Sequence, residues 1–355
     1  MSIDLHRSSA PRVSVIIAAS STPELLRACL YSMARSAPGE IPFETIVVLN
    51  EADSGVEAEL LRTVTGLHVV NSPVNLGLAG AANRGRHLAR GDLLILLHDD
   101  AEVEPGWMEA LVETADAHPE AGAIGGKVLN PDGSLQNAGM ILWRDATTSP
   151  PWVGKAPAPD AFDRVRAVDY CGTSSLLVRA SAWDAVGGLD ERFYPAYYAD
   201  VDLSLALRQR GLVVLYQPRS VIRHHRGAST NIRFRSFIVR RNRLLFLEKW
   251  GSALAEYDPP EAGSRAALER ALERAEAFAA LCRSRGAVKM ELPPERVRFD
   301  PALQELRHYE KSRALQKAYV AHLTESLDAA EKELARAGLL SRLQRLWRRR
   351  RRSWR

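Results

Sequence analysis

Two adjacent carboxylates at the end of a very apolar run are the first residues in this sequence that could do chemistry. Leu93-Leu94-Ile95-Leu96-Leu97 leads directly into His98-Asp99-Asp100. Neighbouring carboxylates repel each other and lose hydration when held against a protein core, and a bound cation is the simplest compensation. The bland alternative is a cap: an Asp ahead of Ala101-Glu102 could hold the next turn. This stretch alone leaves both readings standing. Asp200 and Asp202 precede Leu203, Leu205, Ala206 and Leu207, where carboxylates would cap a helix in any protein. His224-His225 ends an extended segment, and a histidine there is more often structural than functional. Adjacent side chains on a strand point in opposite directions, so only one of the pair would reach a common site.

The elements that must position these residues follow from the apolar pattern. Five consecutive aliphatic residues are too few to span a membrane. They suit a central strand covered on both faces, as in a parallel sheet. Ligands of open α/β sheets bind beyond the carboxyl ends of the strands, where Asp99 and Asp100 fall. Upstream, residues 12–19 read as a first buried strand, and Pro23 opens a helix bearing Leu25, Leu26, Cys29, Leu30 and Met33, which Pro38-Gly39 stops. Strands at 43–49 and 67–71 flank a helix over 57–63. This alternation of strand and helix is the pattern of a parallel α/β sheet. The stretch Asn75-Leu76-Gly77-Leu78-Ala79-Gly80-Ala81-Ala82-Asn83-Arg84-Gly85 runs into another helix. Its small residues allow close approach of a ligand at the helix N-terminus, or equally close packing of the helix itself.

Composition sets outer limits. The chain has 355 residues, 46% of them hydrophobic, enough for one large or two ordinary domains. Cys29, Cys171 and Cys282 are far apart and form no Cys-x-x-Cys pair, which argues against a disulfide framework or a zinc site and fits a reducing compartment. No apolar core near Met1 suggests a secretory signal, and no apolar run approaches the roughly 18 residues of a transmembrane helix. A cytoplasmic protein, soluble or peripheral on the inner face of a membrane, is expected. The net charge of +5 is local: residues 341–355 hold eight arginines and no acid, and the rest carries 40 basic against 43 acidic residues.

Several motifs in order then carry a resemblance. They are the small-residue end of the first strand, Asn50 at the end of the second, and the Asn75–Gly85 stretch. Arg90-Gly91-Asp92 leading to His98-Asp99-Asp100, Glu104-Pro105-Gly106-Trp107 and Gly172-Thr173-Ser174-Ser175 come next. Gly187-Gly188-Leu189-Asp190-Glu191, Asp200-Val201-Asp202-Leu203 and His224 with Ser229 complete the series. Over roughly residues 12 to 250 the chain resembles family 2 of the inverting nucleotide-sugar glycosyltransferases, on the GT-A fold, in a rhamnosyltransferase-like branch. The order of motifs is far more specific than any one of them.

The resemblance implies a fold: an α/β, Rossmann-like, mixed and mostly parallel sheet flanked by helices. The implied division is a glycosyltransferase domain over 1–250, with a nucleotide-sugar half at about 12–110 and an acceptor half at 111–250. A helical extension over 251–355 follows. It also implies roles. Asp100 is the expected ligand of a divalent metal, Mg2+ or Mn2+, with Asp99 a further candidate and His224 a ligand or diphosphate contact. His98 stands where relatives have Asp or Asn, and a contact to the sugar suits it better than ligation. Ala18, Ala19, Asn50, Asn75, Gly77 and Asn83 are expected to line the donor pocket. Asp200 maps to the catalytic base, and Asp190, Glu191 and Asp202 to the acceptor side or its support. Two departures stand out: Ala199 replaces the usual Glu beside the base, and Leu49 replaces an Asp that bonds the pyrimidine. Arg240, Arg241 and Arg243 could meet phosphates, but a solvated helix face is the preferred reading.

Beyond Trp250, Ala, Glu, Arg and Leu dominate. Helices are expected over 264–284 and 301–337, the second with a short heptad spacing (Val320, Leu323, Leu327, Ala330, Leu334) that allows a homodimer. Residues 339–355 join a Leu/Trp face to an arginine run, which suits an anionic membrane surface. No motif for nucleic acid accompanies it, so nucleic acid is not expected as a partner. The resulting expectation is metal-assisted transfer of a sugar from a UDP- or dTDP-sugar to a hydroxyl of a polysaccharide or lipid-linked glycan. The alternatives are a catalytically silent scaffold of the same fold, motivated by Ala199 and Leu49, and a sugar-phosphate nucleotidyltransferase. The latter lacks its Gly-rich basic signature here.

Overall fold

The computed structural model describes residues 3–5, 8–20, 22–37, 39–225, 231–261, 263–286 and 299–336. Ser21, Pro38, the segment 226–230 with Ser229, Pro293-Pro294 and the basic tail 339–355 lie outside the described residues.

The apolar runs form the strands they predict; three are buried along nearly all their length, and the one at the sheet edge (Leu67–Ser72) is mostly half-buried. β1 (Val13–Ala19), β2 (Phe43–Asn50), β3 (Leu67–Ser72) and β4 (Leu93–His98) are separated by α1 (Pro23–Arg35), α2 (Ser54–Thr63) and α3 (Gly77–Leu88). β1 pairs in parallel with β2 on one side and β4 on the other, and β2 with β3. This half follows directly from sequence, because alternating strands and helices can only make parallel crossovers of this kind.

The second half departs from that pattern. β5 (Ala101–Val103), α4 (Trp107–Ala117), β6 (Ala121–Leu129), β7 (Leu135–Asn137), β8 (Arg166–Val168), β9 (Ser175–Arg179), α5 (Ala180–Val186), α6 (Ala199–Gln209) and β10 (Val213–His224) follow in order. The sheet runs β8-β10-β6-β9-β4-β1-β2-β3, with β5 added to β10 and β7 to β6. β9 lies antiparallel between β4 and β6, at the centre of the sheet. β10 is one strand of 12 residues, and its register with β6 shifts between Gln217 and Val221. Pro218 in that interval supplies no backbone N–H, so the ladder is interrupted there without ending the strand.

α3 lies over this sheet at close range. A β-carbon on Gly85 would approach Ile16 Cγ2 of β1 to 2.4 Å, so Gly85 serves helix-to-sheet packing. α7 (Ile232–Trp250) and α8 (Arg265–Arg285) follow, and α9 covers Pro301–Arg336. The chain divides into two compact units, Met1–Glu305 and Leu306–Arg355. Within the described part of the second, Val320 and Leu327 of the heptad pattern are exposed. Cys29, Cys171 and Cys282 are buried free thiols. Among the described residues no helix is long and apolar enough to cross a membrane.

Candidate active site

β4 ends at His98, and the chain turns through Asp99-Asp100 into β5. β5 pairs antiparallel with the last residues of β10, in a register that sets His224 opposite Ala101. The His225 N–H donates to the Asp100 carbonyl at 2.9 Å. Two distant stretches are thereby fixed side by side, and His98, Asp100 and His224 converge. His224 Nε2 lies 3.0 Å from Asp100 Oδ1 and 3.2 Å from His98 Nδ1, and His98 Nδ1 lies 3.8 Å from the same carboxylate oxygen. One donor atom from each of the three falls within 4.8 Å of the others. Alternation along the strand sends His225 away, to Glu102 Oε1 at 2.8 Å.

Asp99 is not part of this cluster. Its Oδ2 accepts the Ser20 N–H at 2.7 Å, closing the loop after β1. The ordering of the two carboxylates is thus a division of labour: Asp99 ties backbone, Asp100 faces the imidazoles. Burial pushes the Asp100 carboxyl up, but the His224 hydrogen bond and the two imidazoles outweigh it, and the net shift is downward. His98 is lowered, first by burial and then by His224 beside it. A carboxylate with two imidazoles is a suitable donor set for a divalent ion, and both rings are steadied from behind. Thr173 Oγ1 lies 3.2 Å from His98 Nε2, and Gln136 Oε1 lies 2.8 Å from His224 Nδ1.

Asp200 stands in the first turn of α6, half-buried. Its Oδ1 accepts the Val201 N–H at 3.0 Å, and burial raises its carboxyl to about 6. Tyr170, Cys171 and Tyr198 are close enough for their own ionisation to be disfavoured by its charge. The two centres flank one dipeptide. Thr173 touches His98, and a β-carbon placed on its neighbour Gly172 would lie 3.7 Å from Asp200 Oδ2.

The loop that delivers Asp200 is strained and stapled. Tyr197 and Tyr198 have φ of 70° and 73°, in the left-handed region that bulky residues avoid. Asn242, fully buried on α7, donates to the carbonyls of Phe193 (3.2 Å), Ala196 (2.8 Å) and Tyr197 (3.1 Å). Tyr198 Oη donates to the Ala146 carbonyl at 2.8 Å. Arg241 donates to Asn242 Oδ1 and the Tyr194 carbonyl, and Arg243 pairs with Asp145. Arg241 and Arg243 therefore are not a solvated face, although Arg240 is exposed. The loop needs fixed partners because its backbone conformation is intrinsically unfavourable.

The expected donor-side residues form a second network. Asn50 Oδ1 accepts the Leu76 N–H at 2.5 Å, and its amide reaches Asn75 Oδ1 at 3.2 Å. Gly77, at φ 63°, meets the Tyr194–Pro195 segment so closely that a β-carbon would stand 2.6 Å from the Pro195 carbonyl oxygen. The Leu78 N–H donates to that same oxygen at 2.8 Å. Asn83 exchanges hydrogen bonds with the Leu189 backbone and donates to Glu191 Oε1. These residues therefore shape the turn before α3 and tie it to the loop carrying Asp200. Ala18 and Ala19 end β1 beside His98 and Leu49 respectively, and Leu49 itself is buried in the core. Asp190 caps a short turn and pairs with Arg192 and Lys249, while Asp202 accepts from Trp250 Nε1 and Lys249. Both brace the segment around residues 190–202 through bonds within the protein.

Gln136 and Asn242 are site residues that sequence reasoning missed, and Gly172 and Thr173 entered it only as part of a motif, with no role given. Asn242 had a signal: Ile238, Asn242, Phe246 and Trp250 form a buried stripe at a spacing of four, and an amide in such a stripe must find partners.

Residues 14–185 match the sequence model of Glycosyl transferase family 2. The chain carries a family 2 glycosyltransferase domain. It is 30% identical over 235 residues to the O-antigen biosynthesis protein RfbC of Myxococcus xanthus, covering 62% of this chain and 18% of that protein. It is 29% identical over 213 residues to the N-acetylglucosaminyl-diphospho-decaprenol L-rhamnosyltransferase of Mycobacterium tuberculosis, covering 54% of this chain and 69% of that enzyme. The chain thus spans less than a fifth of the first relative. A crystal structure of GalNAc-T7 with UDP, GalNAc and Mn2+ superposes with a TM-score of 0.53 at 15% identity, over 69% of this chain and 50% of that one. That likeness speaks for the fold, which is GT-A. The matched span includes His98, Asp100 and the Gly172–Thr173 segment, while Asp200 and His224 lie beyond it.

Proposed function

We propose that this glycosyltransferase domain moves a sugar from a nucleotide-diphosphate donor, UDP- or dTDP-linked, to a hydroxyl of a polysaccharide or lipid-linked glycan, with inversion at the anomeric carbon. The observation that carries this reading is the placement of two complementary centres on either side of Gly172–Thr173. One is a cluster able to hold a metal ion, and the other is a carboxylate whose proton affinity burial has raised. Single displacement needs both: charge stabilisation where the diphosphate leaves and proton removal where the hydroxyl attacks. The two relatives support the acceptor class, one being named for O-antigen biosynthesis and the other for a lipid-diphosphate sugar acceptor.

Asp200 is the base of this mechanism. Its carboxyl, raised to about 6 by burial, is ionised at neutral pH yet basic enough to take a proton from an attacking hydroxyl. The hydroxyl oxygen bonds to the anomeric carbon as the bond to the diphosphate oxygen breaks, and the hydroxyl proton passes to Asp200. A divalent metal held by Asp100 and His224 would neutralise charge on the leaving diphosphate. The Tyr197–Tyr198 backbone, fixed by Asn242, holds Asp200 in place without relying on the substrate. Ala199 is buried in the core, so the position beside the base contributes packing in place of a second carboxylate.

Calorimetric titration with UDP and with dTDP, each with and without Mn2+, tests the reading on wild type and Asp100→Ala. Metal-dependent binding that disappears in Asp100→Ala is the expected result, and the preferred base emerges from the same series. Absence of binding to either nucleotide under all conditions would favour a silent scaffold and overturn the proposal.

A further inference from the structure

Asp169 is a carboxylate that the mechanism does not use, and its side chain is fully buried. Its Oδ2 accepts the Leu142 N–H at 2.9 Å and Arg274 Nη2 at 2.8 Å. Arg274 belongs to α8 and spans two carboxylates, since its Nη1 donates to Asp258 Oδ2 at 2.5 Å. Its guanidinium also lies 4.3 Å from the centroid of the Tyr257 ring. Among the described residues, Asp169 Oδ1 and Arg274 Nε find no hydrogen-bond partner. A buried ion pair of this kind adds little net stability over apolar side chains of the same shape, because desolvation offsets the attraction. Its place in the chain gives it another use.

Asp169 opens the segment that borders the base. The Met140 N–H donates to the Tyr170 carbonyl at 2.9 Å. Tyr170 and Cys171 follow, both near enough to Asp200 for its charge to disfavour their ionisation. Gly172 faces Asp200 Oδ2, and Thr173 reaches His98. Four consecutive residues thus run from the Asp169 anchor along both centres of the site. α8 also meets the element that carries the base. Arg208 of α6 lies 3.8 Å from the centroid of the Phe278 ring on α8, and it is the second cation acting on Asp169. Tyr170, Cys171 and Tyr198 are the titratable groups that feel Asp200, whereas burial and backbone N–H groups are what act on its own carboxyl.

We propose that Arg274 is a positioning residue for the transfer step: by gripping Asp169 it sets the Tyr170–Thr173 segment against Asp200 and keeps water from the base. α8, which the sequence placed in an extension beyond the glycosyltransferase domain, is then part of the active-site scaffold. The inference rests on Asp200 as the base of the preceding section. Arginine suits the role because its planar fork meets two carboxylates at once while stacking on an aromatic ring, which a lysine ammonium cannot do.

The test uses the full chain with 13C-labelled aspartate, the Asp200 carboxyl signal being assigned by its loss in Asp200→Asn. In wild type that signal should titrate at about 6. Arg274→Met leaves a buried anion unpaired and threatens folding, so the decisive variant is the pair Asp169→Asn with Arg274→Met. It keeps the side-chain shapes and an acceptor for the Leu142 N–H. With the segment released and water admitted, the Asp200 titration should move from about 6 toward the ordinary 3.8. Turnover of a UDP- or dTDP-sugar, followed as nucleoside diphosphate release, should lose up to about 100-fold in kcat with little change in donor KM. Arg274→Lys retains the charge without the fork and should recover part of both. A folded paired variant with wild-type kcat and an unmoved Asp200 titration would overturn the role of Arg274 while leaving the base intact. Wild-type turnover in Asp200→Asn would instead overturn the base itself.

Discussion

Asp200→Asn keeps the shape of the side chain and removes its charge, so it should slow the reaction and stabilise the fold at the same time. Burial lifts the carboxyl from an ordinary 3.8 to about 6, and the backbone N–H groups of Val201 and of Asp200 itself offset only part of that. One pKa unit corresponds to about 1.4 kcal/mol, so keeping the anion at neutral pH costs the fold about 3 kcal/mol at most. Solvent reaching the half-buried carboxylate reduces this figure. The sign follows from linkage. A carboxyl raised in the folded state binds its proton more tightly there than in the unfolded chain. Its contribution is fully favourable below the ordinary value of 3.8 and is lost as pH rises through about 6. Asparagine has no such dependence. Thermal melts should therefore show Asp200→Asn gaining on wild type as pH rises from 3.8 through about 6. Over the same range wild-type kcat should climb as the base ionises and then level. Release of nucleoside diphosphate from the donor, followed in the presence of acceptor, should show kcat lower in the variant by about 10²- to 10⁴-fold. A variant with wild-type kcat would refute the assignment of the base. A variant with no gain in melting temperature above about pH 6 would refute the buried-anion account.

Asn242→Ala should remove three donations to the loop carbonyls and cost about 1–3 kcal/mol in a denaturant melt, with a fall in kcat larger than any change in donor binding, because the loop it holds presents Asp200. Equal kcat in this variant would show that the Tyr197–Tyr198 conformation holds without the staple. Deleting residues 339–355 removes eight arginines and should sharply reduce partition onto vesicles of anionic lipid at low salt. Unchanged partition would end the membrane role proposed for that tail.

Much of the N-terminal half of the sheet was legible because its information is local. Leu93–Leu97 could only be a covered strand, and its carboxyl end had to carry His98, Asp99 and Asp100 to the ligand edge. The small residues of the Asn75–Gly85 stretch were legible as a close approach, but the thing approached was not. Gly77 meets the Pro195 carbonyl and Gly85 meets Ile16, both protein atoms. Neither motif order nor composition could separate these packing uses from ligand binding, since both demand the same missing side chain.

The sequence by itself determined the apolar strands, their alternation with helices, and the identities of Asp100, Asp200 and His224 as residues worth placing. Tertiary structure alone decided how they meet. The antiparallel entry of β9, the bulged course of β10 and its pairing with β5 are long-range choices of register, and a one-residue slip would exchange His224 for His225. The same pairing turned His98 into the cluster and left Asp99 to hold Ser20. The roles of hydrogen-bond partners such as Gln136 and Thr173 carry no local signal, because an amide or a hydroxyl looks the same in sequence whether it faces water or fixes the ring of a histidine.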